Sequence, residues 1–468
     1  MHRVTTDNRI LLATSGTLLS DLLMQEGEPV DHPCGGRGVC KKCAVLVNGI
    51  KVLACQYRIF SDITVSGYAD EEIISQTGIL QTGYMSERQC LALDVGSTTL
   101  ALAVVSLDDG SVQRVITATN PQRGYGSDVM TRIGYCRKGG LAVLHSCLIN
   151  KINSMIESLQ LQPVEQLFVS GNTTMLHLLL GVDCSSMGAA PYTPAFLESR
   201  AVSAEALGII GAETVITLPS ISAFVGADLV AGMHYVGMPQ TGKYHLIVDL
   251  GTNAEIVLYS REGVLCTAAA AGPCFEGANI TCGSSAISGA VYAYEKGIAK
   301  TVSDKPARGI CGTGLVDIMA ELLRAGIIDE TGYMECEQFS IAEDVFITRS
   351  DIRQYQLAKS AVCSAILTLL QLQGIAFDDI EVMHISGGFS AQINVANAVF
   401  TGLLPEELSK KCVPIRNSSL SGTCKYAYLQ EDLSMYCSHA KYVDLSNNPV
   451  FSELFINKMF FVNSGGLL

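Results

Sequence analysis

Two segments of the chain, LALDVGSTTLALAVV at residues 91–105 and HLIVDLGTNAEIVL at residues 245–258, repeat one pattern. Each is an apolar strand ending in aspartate, then a turn of glycine with hydroxyl or amide residues, then a second apolar strand. Such an echo constrains a fold more than any single motif, because each copy needs the same kind of sheet around it. The echo continues. LFVSGNTTMLHLLLG, from Leu167, and VMHISGGFSAQI, from Val382, each read as a strand ending in a small-residue turn that opens a helix, in the same order within each half. The expected fold class is α/β: duplicated subdomains, 90–240 and 241–468, facing a cleft that holds the ligand.

The turns suggest what that ligand is. Asp94 precedes Gly96, Ser97, Thr98 and Thr99; Asp249 precedes Gly251, Thr252 and Asn253. Glycine lets a backbone approach closely, amides and hydroxyls donate to phosphate oxygens, and aspartate holds Mg²⁺, usually through its waters. One such hairpin is as readily an ordinary turn of small residues. Its recurrence, together with Gly387 and Gly388 in ISGGFS, favours a clamp for a triphosphate. No G-x-x-x-x-G-K-[ST] run is present, so the clamp is not a P-loop.

This set of turns resembles the sugar kinase, heat-shock chaperone and actin superfamily of ATPases, with its duplicated actin-like, ribonuclease H-like halves. The resemblance implies a helix crossing between subdomains before the second phosphate turn, and ISAFVGADLVAGM, residues 221–233, stands in that place. Asp228 on it either orients an attacking water or a metal-bound water, or is a helix cap. The resemblance also puts the stretch around Gly272, Glu276 and Gly277 near ribose and adenine. There Glu276 either accepts from ribose hydroxyls or caps local structure.

Residues 1–66 read as a small β-rich module around a cysteine loop, joined by a polar linker, 67–89. Cys34, Cys40, Cys43 and Cys55 are spaced C-x5-C-x2-C-x11-C. Zinc sites usually present two close pairs, whereas plant-type ferredoxins hold a 2Fe-2S cluster with a loop triplet and a distant fourth cysteine. Gly35, Gly36 and Gly38 suit a chain that must wrap closely around bridging sulfides. The spacing therefore points to 2Fe-2S, with zinc as the alternative. Arg37, Lys41 and Lys42 either meet an acidic redox partner or form a solvated loop face. Seventeen cysteines, an odd number in a large chain, read as reduced thiols, mostly small buried residues.

Composition narrows the partners. A net charge of −14 with no basic stripe argues against nucleic acid, and no apolar run reaches the roughly 20 residues of a membrane span. MHRVTTDNRI lacks a signal-peptide layout, so the expected address is cytoplasmic, with no membrane partner.

A ferredoxin-like (β-grasp) module fused to such an ATPase resembles the reductive activators of corrinoid-dependent methyltransferases. The motifs run through the chain in order: TLLSDLLMQEG, CGGRGVCKKC, LALDVGSTT, VSGNTTMLHLLLG, AFVGADLVAGM, LIVDLGTNAEI, GPCFEGANI, GICGTGLVDIMAELL, RSDIRQYQLAKSA, ISGGFSAQI and YVDLSNNPVFSELFINKMFF. The resemblance implies ATP-dependent, one-electron reduction of inactive cobalt(II) to cobalt(I). The cobalt is carried by a separate corrinoid protein, and the electron comes from an unidentified low-potential donor; a homodimer is left open. No D-x-H-x-x-G run for holding cobalamin occurs in this chain, and His177, in an apolar helix, reads as packed. Two departures stand out: the first strand is short, and the linker leaves no room for the middle domain of longer members. Alternatives are an electron activator of a radical dehydratase or reductase, and a small-molecule kinase with a redox-sensing cluster.

Overall fold

The computed structural model describes residues 1–6, 9–26, 30, 38, 43–66, 86–126, 128–388 and 392–461. Most of the expected linker, residues 67–85, lies outside this set, as do Cys34 and Cys40 with the loop around them.

The amino-terminal module is a five-stranded mixed sheet. Its spatial order is Ile10–Ala13, His2–Thr5, Ile63–Ser66, Ala44–Val47, Ile50–Leu53. Alternation decides which face is covered: Leu11 and Ala13 point inward while Ile10 and Leu12 are exposed. Helix Leu19–Gln25 buries Leu19, Leu22 and Leu23 in the core that Val4, Val45, Val47 and Val65 share. The first strand, His2–Thr5, is four residues long. It pairs antiparallel with Ile10–Ala13 and parallel with Ile63–Ser66.

The remainder realises the sequence echo. One six-stranded sheet runs Arg200–Ser203, Ala212–Thr217, Val164–Gly171, Gln89–Val95, Thr99–Ser106, Val112–Thr119. The other runs Cys412–Pro414, Ile380–Ser386, Tyr244–Leu250, Ala254–Ser260, Gly263–Ala269, Ala440–Tyr442. In both, the hairpin's first strand pairs antiparallel with its second and parallel with the later strand that ends in a glycine turn. In strand Thr99–Ser106 every residue after Thr99 is buried, as an apolar run without alternation requires.

Each half then sends a helix to the boundary between the sheets. Ala227–Val236 follows strand Ala212–Thr217, and Ser418–Leu429 follows Cys412–Pro414. They cross at close range because small residues meet there. A Cβ on Gly422 would lie 1.8 Å from the Ala231 carbonyl oxygen, and one on Gly232 would lie 3.1 Å from Ser418 Oγ. The second crossing helix lies against the first sheet although it follows a strand of the second. Leu420, Cys424 and Ala427 share one buried core with Leu91, Leu93 and Phe168. The crossing helix expected over 221–233 starts only at Ala227. Residue 226 must be glycine: a Cβ there would come within 2.6 Å of Asn172 Cα and Thr173 N. Among the described residues, no helix is long and apolar enough to cross a membrane.

Candidate active site

The first turn is braced from below. Asn120, fully buried, donates its Nδ2 to the Gly96 carbonyl at 2.8 Å and its backbone N–H to the Thr98 carbonyl at 2.9 Å. Arg132, equally buried, reaches the Ser97 carbonyl with Nη2 at 2.5 Å. Three successive carbonyls are thereby taken, and Gly96 N–H closes the turn on Thr99 O at 3.1 Å. Arg132 also donates to Gly126 O and Gln122 Oε1. Burial lowers its guanidinium to about 10, which leaves it charged at neutral pH beneath the turn.

The second turn is shorter, residues 251–253, and closes from Gly251 N–H to Asn253 O at 2.9 Å. Beside it lies the late glycine turn. Gly387 has φ +106, and a Cβ would meet Leu250 O at 2.1 Å, so glycine satisfies both the backbone conformation and the close approach. Residues 389–391, where a helix is expected to open from this turn, lie outside the described residues; the next described α-helix is Val395–Phe400, capped by Asn394. In the first half the helix does open at once: Asn172 caps Thr173–Leu179 by accepting from Thr174 N–H. His177 in that helix is packed, stacked on Phe196 at 4.2 Å, and hydrogen-bonded through both ring nitrogens to Thr173 O and Ala195 N.

Five carboxylates converge on the space between the turns. Asp94 is pushed up to about 6 by desolvation and by Asp249, against hydrogen bonds from Ser419 and Asn417 that lower it. Asp228, in the first turn of its helix, rises to about 7 through desolvation and the charges of Asp249 and Asp94. Desolvation also raises Asp249, opposed by a hydrogen bond from Ser386, and raises Glu255 well above its ordinary value, with Asp249 and Asp228 adding to it. All four are half-buried, so they line an opening rather than a sealed core. Glu276 is the fifth. Its Oε1 accepts from Thr98 Oγ1 at 3.3 Å and its Oε2 from Thr252 Oγ1 at 2.7 Å, so one carboxylate touches both turns.

A cleft whose acids raise one another's pKa favours a ligand that brings positive charge. Among the described residues no three His, Cys, Asp or Glu side chains form a direct metal cage. Carboxylates so placed suit a hydrated cation, the manner in which Mg²⁺ usually binds beside a polyphosphate.

In the amino-terminal module, Cys43 and Cys55 are buried with their sulfurs 3.2 Å apart. That is too long for the roughly 2.05 Å of a disulfide and brings two soft ligands together. Gln56 Nε2 approaches Cys55 Sγ at 3.8 Å, and Gly38, at φ +74, is packed against the Gln56 side chain. The two described thiols fit one side of a sulfur-ligated site.

The structure thus gathers Asp94, Ser97, Thr98, Asp228, Asp249, Thr252, Glu276 and Gly387 about one cleft, with Gly388 following Gly387 at its edge. Gly272, at φ +79, opens the short turn Pro273–Glu276 that carries Glu276. Sequence reading did not single out Glu255, Arg132, Asn120, Ser386, Ser419 or the second crossing helix. Glu255 had a signal: it is the one charged residue in the strand AEIVLYS, otherwise buried throughout.

Comparison with known proteins bears on the family and the fold. The family model described as the C-terminal domain of RACo, the ASKHA domain, matches residues 243–466, and that of the RACo middle region matches residues 89–241. The region so described coincides with the first six-stranded half of the cleft. The corrinoid activation enzyme RamQ of Eubacterium limosum is 26% identical, over 95% of this chain and 96% of its own. A Co(II) methylated amine-specific corrinoid protein reductase of Methanosarcina barkeri is 27% identical over 71% of this chain and 68% of its own. The solved structure of a reductive activator for corrinoid, iron-sulfur protein superposes with a TM-score of 0.72 at 24% identity, covering 98% of both chains, which establishes the shared fold.

Proposed function

We propose, from the premise that this chain belongs to the RACo family of reductive activators of corrinoid proteins, that it uses ATP to drive one electron onto the cobalt(II) of a partner corrinoid protein, restoring cobalt(I). The observation that carries this reading is the pairing, on one chain, of two converging buried thiols with a duplicated cleft whose hydroxyl turns and acids suit a magnesium polyphosphate.

Cys43 and Cys55, with Cys34 and Cys40, would hold a 2Fe-2S cluster, which supplies single electrons at a potential near roughly −400 mV for plant-type examples. Cobalt(II) to cobalt(I) is a demanding reduction, and each 59 mV of shortfall costs about tenfold in the equilibrium. The rest belongs to the chain's own residues. Ser97, Thr98, Thr99 and Thr252 grip phosphate oxygens with their hydroxyls, on turns that Gly96 and Gly251 close. Asp94 and Asp249 would hold a hydrated Mg²⁺, which would neutralise phosphate charge. Asp228, whose carboxyl is held near neutral pKa, accepts a proton from the attacking water. ATP leaves as ADP and phosphate, and the crossing helices Ala227–Val236 and Ser418–Leu429 carry the change in the cleft to the rest of the molecule.

The test is anaerobic. Iron- and sulfide-loaded protein, chemically reduced, is mixed with a cobalt(II) corrinoid protein in a stopped-flow cell, and cobalt(I) absorbance is followed with and without Mg-ATP. Cobalt(I) formation that depends on ATP is expected. Equal formation without nucleotide refutes the coupling, and a phosphorylated metabolite in place of free phosphate would indicate a kinase.

A further inference from the structure

Glu276 occupies an unusual position for a side chain expected at a ribose. It stands at the end of the turn Pro273–Glu276, and that turn is fixed at both ends. Gly272 enters at φ +79 and Gly277 leaves at φ +77, where a Cβ would strike Ser284 O and N at 2.3 and 2.4 Å. Cys274 and Phe275 anchor the turn in the second core, and Gly277 N–H and Ala278 N–H bond back to Cys274 O and Pro273 O. The carboxylate is therefore presented from a rigid base. It belongs to the second subdomain, yet it accepts from Thr98 on the first subdomain's turn as well as from Thr252 on its own.

Two anionic oxygens, one on each hydroxyl, reproduce what a bridging phosphate group would offer the same turns. Each threonine hydroxyl has a single proton to donate. While Thr98 and Thr252 donate to Glu276 they cannot donate to a nucleotide, and a phosphate brought beside the carboxylate meets like charge at short range. Both cannot hold the site together. The Thr98–Glu276 bond is also a tie across the cleft, linking residues 178 positions apart on opposite subdomains.

We infer that Glu276 is a built-in phosphate surrogate: it competes with nucleotide phosphate for the hydroxyls of Thr98 and Thr252, and nucleotide entry breaks its tie across the cleft. The inference rests on the reading of the cleft as a nucleotide site. It makes Glu276 a positioning residue that keeps the empty cleft organised and sets how strongly a phosphate chain must bind to take it over. Arg132 stays buried beneath the first turn, holding the Ser97 carbonyl and feeling the Glu276 charge.

The experiment measures Mg-ATP and Mg-ADP affinity by calorimetry for the full chain and for Glu276→Gln and Glu276→Ala. It adds hydrogen exchange of residues 96–99 and 250–253 without nucleotide. Removing the competitor should tighten ATP binding about tenfold in Glu276→Ala and by less in Glu276→Gln, whose amide still reaches the hydroxyls. Exchange in both turns should rise in the nucleotide-free variants and match the wild type once ATP is bound. A merely structural role would weaken binding in both variants. Unchanged or weaker affinity overturns the inference, and weaker affinity restores the ribose-acceptor reading. Binding by none of the three proteins, with melting unchanged, overturns the nucleotide reading and this inference with it.

Discussion

The aspartates of the two turns sit at one register of one strand pairing, Asp94 opposite Ser170 and Asp249 opposite Ser386, but the paired serines are used differently. Ser386 donates directly to Asp249 Oδ2 at 2.5 Å, so the second turn is secured by the neighbouring strand of its own sheet. Ser170 does not reach Asp94. It bonds Ser419 Oγ at 2.8 Å and accepts from Thr423 Oγ1 at 2.6 Å, and Ser419 then donates to Asp94 Oδ1 at 2.8 Å. A hydroxyl from the second crossing helix has been inserted where the other half needs none. The duplicated fold has thus diverged into one turn fixed locally and one turn tied to the helix that links the halves. A shift of that helix is felt at Asp94 and not at Asp249.

The largest expected effects test whether both turns are needed at all. Asp94→Asn and Asp249→Asn should each lower phosphate release by about 100-fold or more, the scale for removing a group that stabilises charge in a polyphosphate transition state. If either variant hydrolyses ATP at the wild-type rate, the two-turn clamp is wrong and the comparison has no functional meaning.

Next in size is the crossing itself. Gly422→Ala places a methyl 1.8 Å from the Ala231 carbonyl, a backbone atom that cannot swing aside, so the helices must part. A cost of about 2–3 kcal/mol in urea unfolding is expected, the range for overpacking a tight contact. Gly232→Ala meets only the Ser418 hydroxyl, at 3.1 Å, and should cost well under half as much. Equal costs would show that the helices do not meet closely at Gly422.

A smaller and more selective test separates the two anchors. The acidic limb of hydrolysis should follow the cleft acids, with activity lost as pH falls through about 7 and 6, the values held by Asp228 and Asp94. Ser419 lowers Asp94, so Ser419→Ala should move that carboxyl up by about 0.7 unit, one hydrogen bond of about 1 kcal/mol converted at 1.36 kcal/mol per unit. Activity would then fade at higher pH than in the wild type. Ser386→Ala should act likewise through Asp249. The difference lies in motion: only Ser419→Ala should change hydrogen exchange in helix Ser418–Leu429 on ATP binding. Matching exchange in both variants would remove the distinction between a tied and a fixed turn.

These tests also mark what sequence could reach. The two hairpins, the glycine turns and Asp228 were legible because strand periodicity and turn chemistry are local, and the repeat gave each copy a control. Ser419 was not. It lies 325 residues from the carboxylate it bonds, in NSSLSGTCKYAYL, where hydroxyls and glycine read as poor helix formers. Only packing explains them: Ser418 and Gly422 are small because another helix passes there. Glu276 was legible as a polar residue among small ones, but its position between the turns depends on how the subdomains face each other. The four-cysteine ligand set is an expectation from spacing, and the structure describes two of its members, Cys43 and Cys55, with their sulfurs 3.2 Å apart.

The smallest expected effect concerns stability, and its sign runs against intuition about removing charge pairs. Asp228 titrates near 7 in the folded protein against an ordinary 3.8, because the cleft desolvates it and Asp249 and Asp94 repel its charge. The folded state therefore holds the proton more tightly than the unfolded chain. The stabilisation this gives is complete below about pH 4 and is lost as pH rises through about 7. Asp228→Asn keeps the shape and cannot ionise, so the nucleotide-free variant should melt higher than wild type at pH 8 and no higher at pH 4. The cleft is partly solvated, which screens the repulsion to about 1–2 kcal/mol, or about 2–8 °C in a chain built of such domains. Asp94→Asn, starting from about 6, should gain less, and its neutral amide oxygen accepts from Ser419 more weakly than the carboxylate does. Mg-ATP should narrow the gap for both, since its cation brings positive charge among the acids. An Asp228→Asn protein that melts no higher than wild type at pH 8 would mean that the acids do not repel one another, and that the empty cleft is not waiting for a cation.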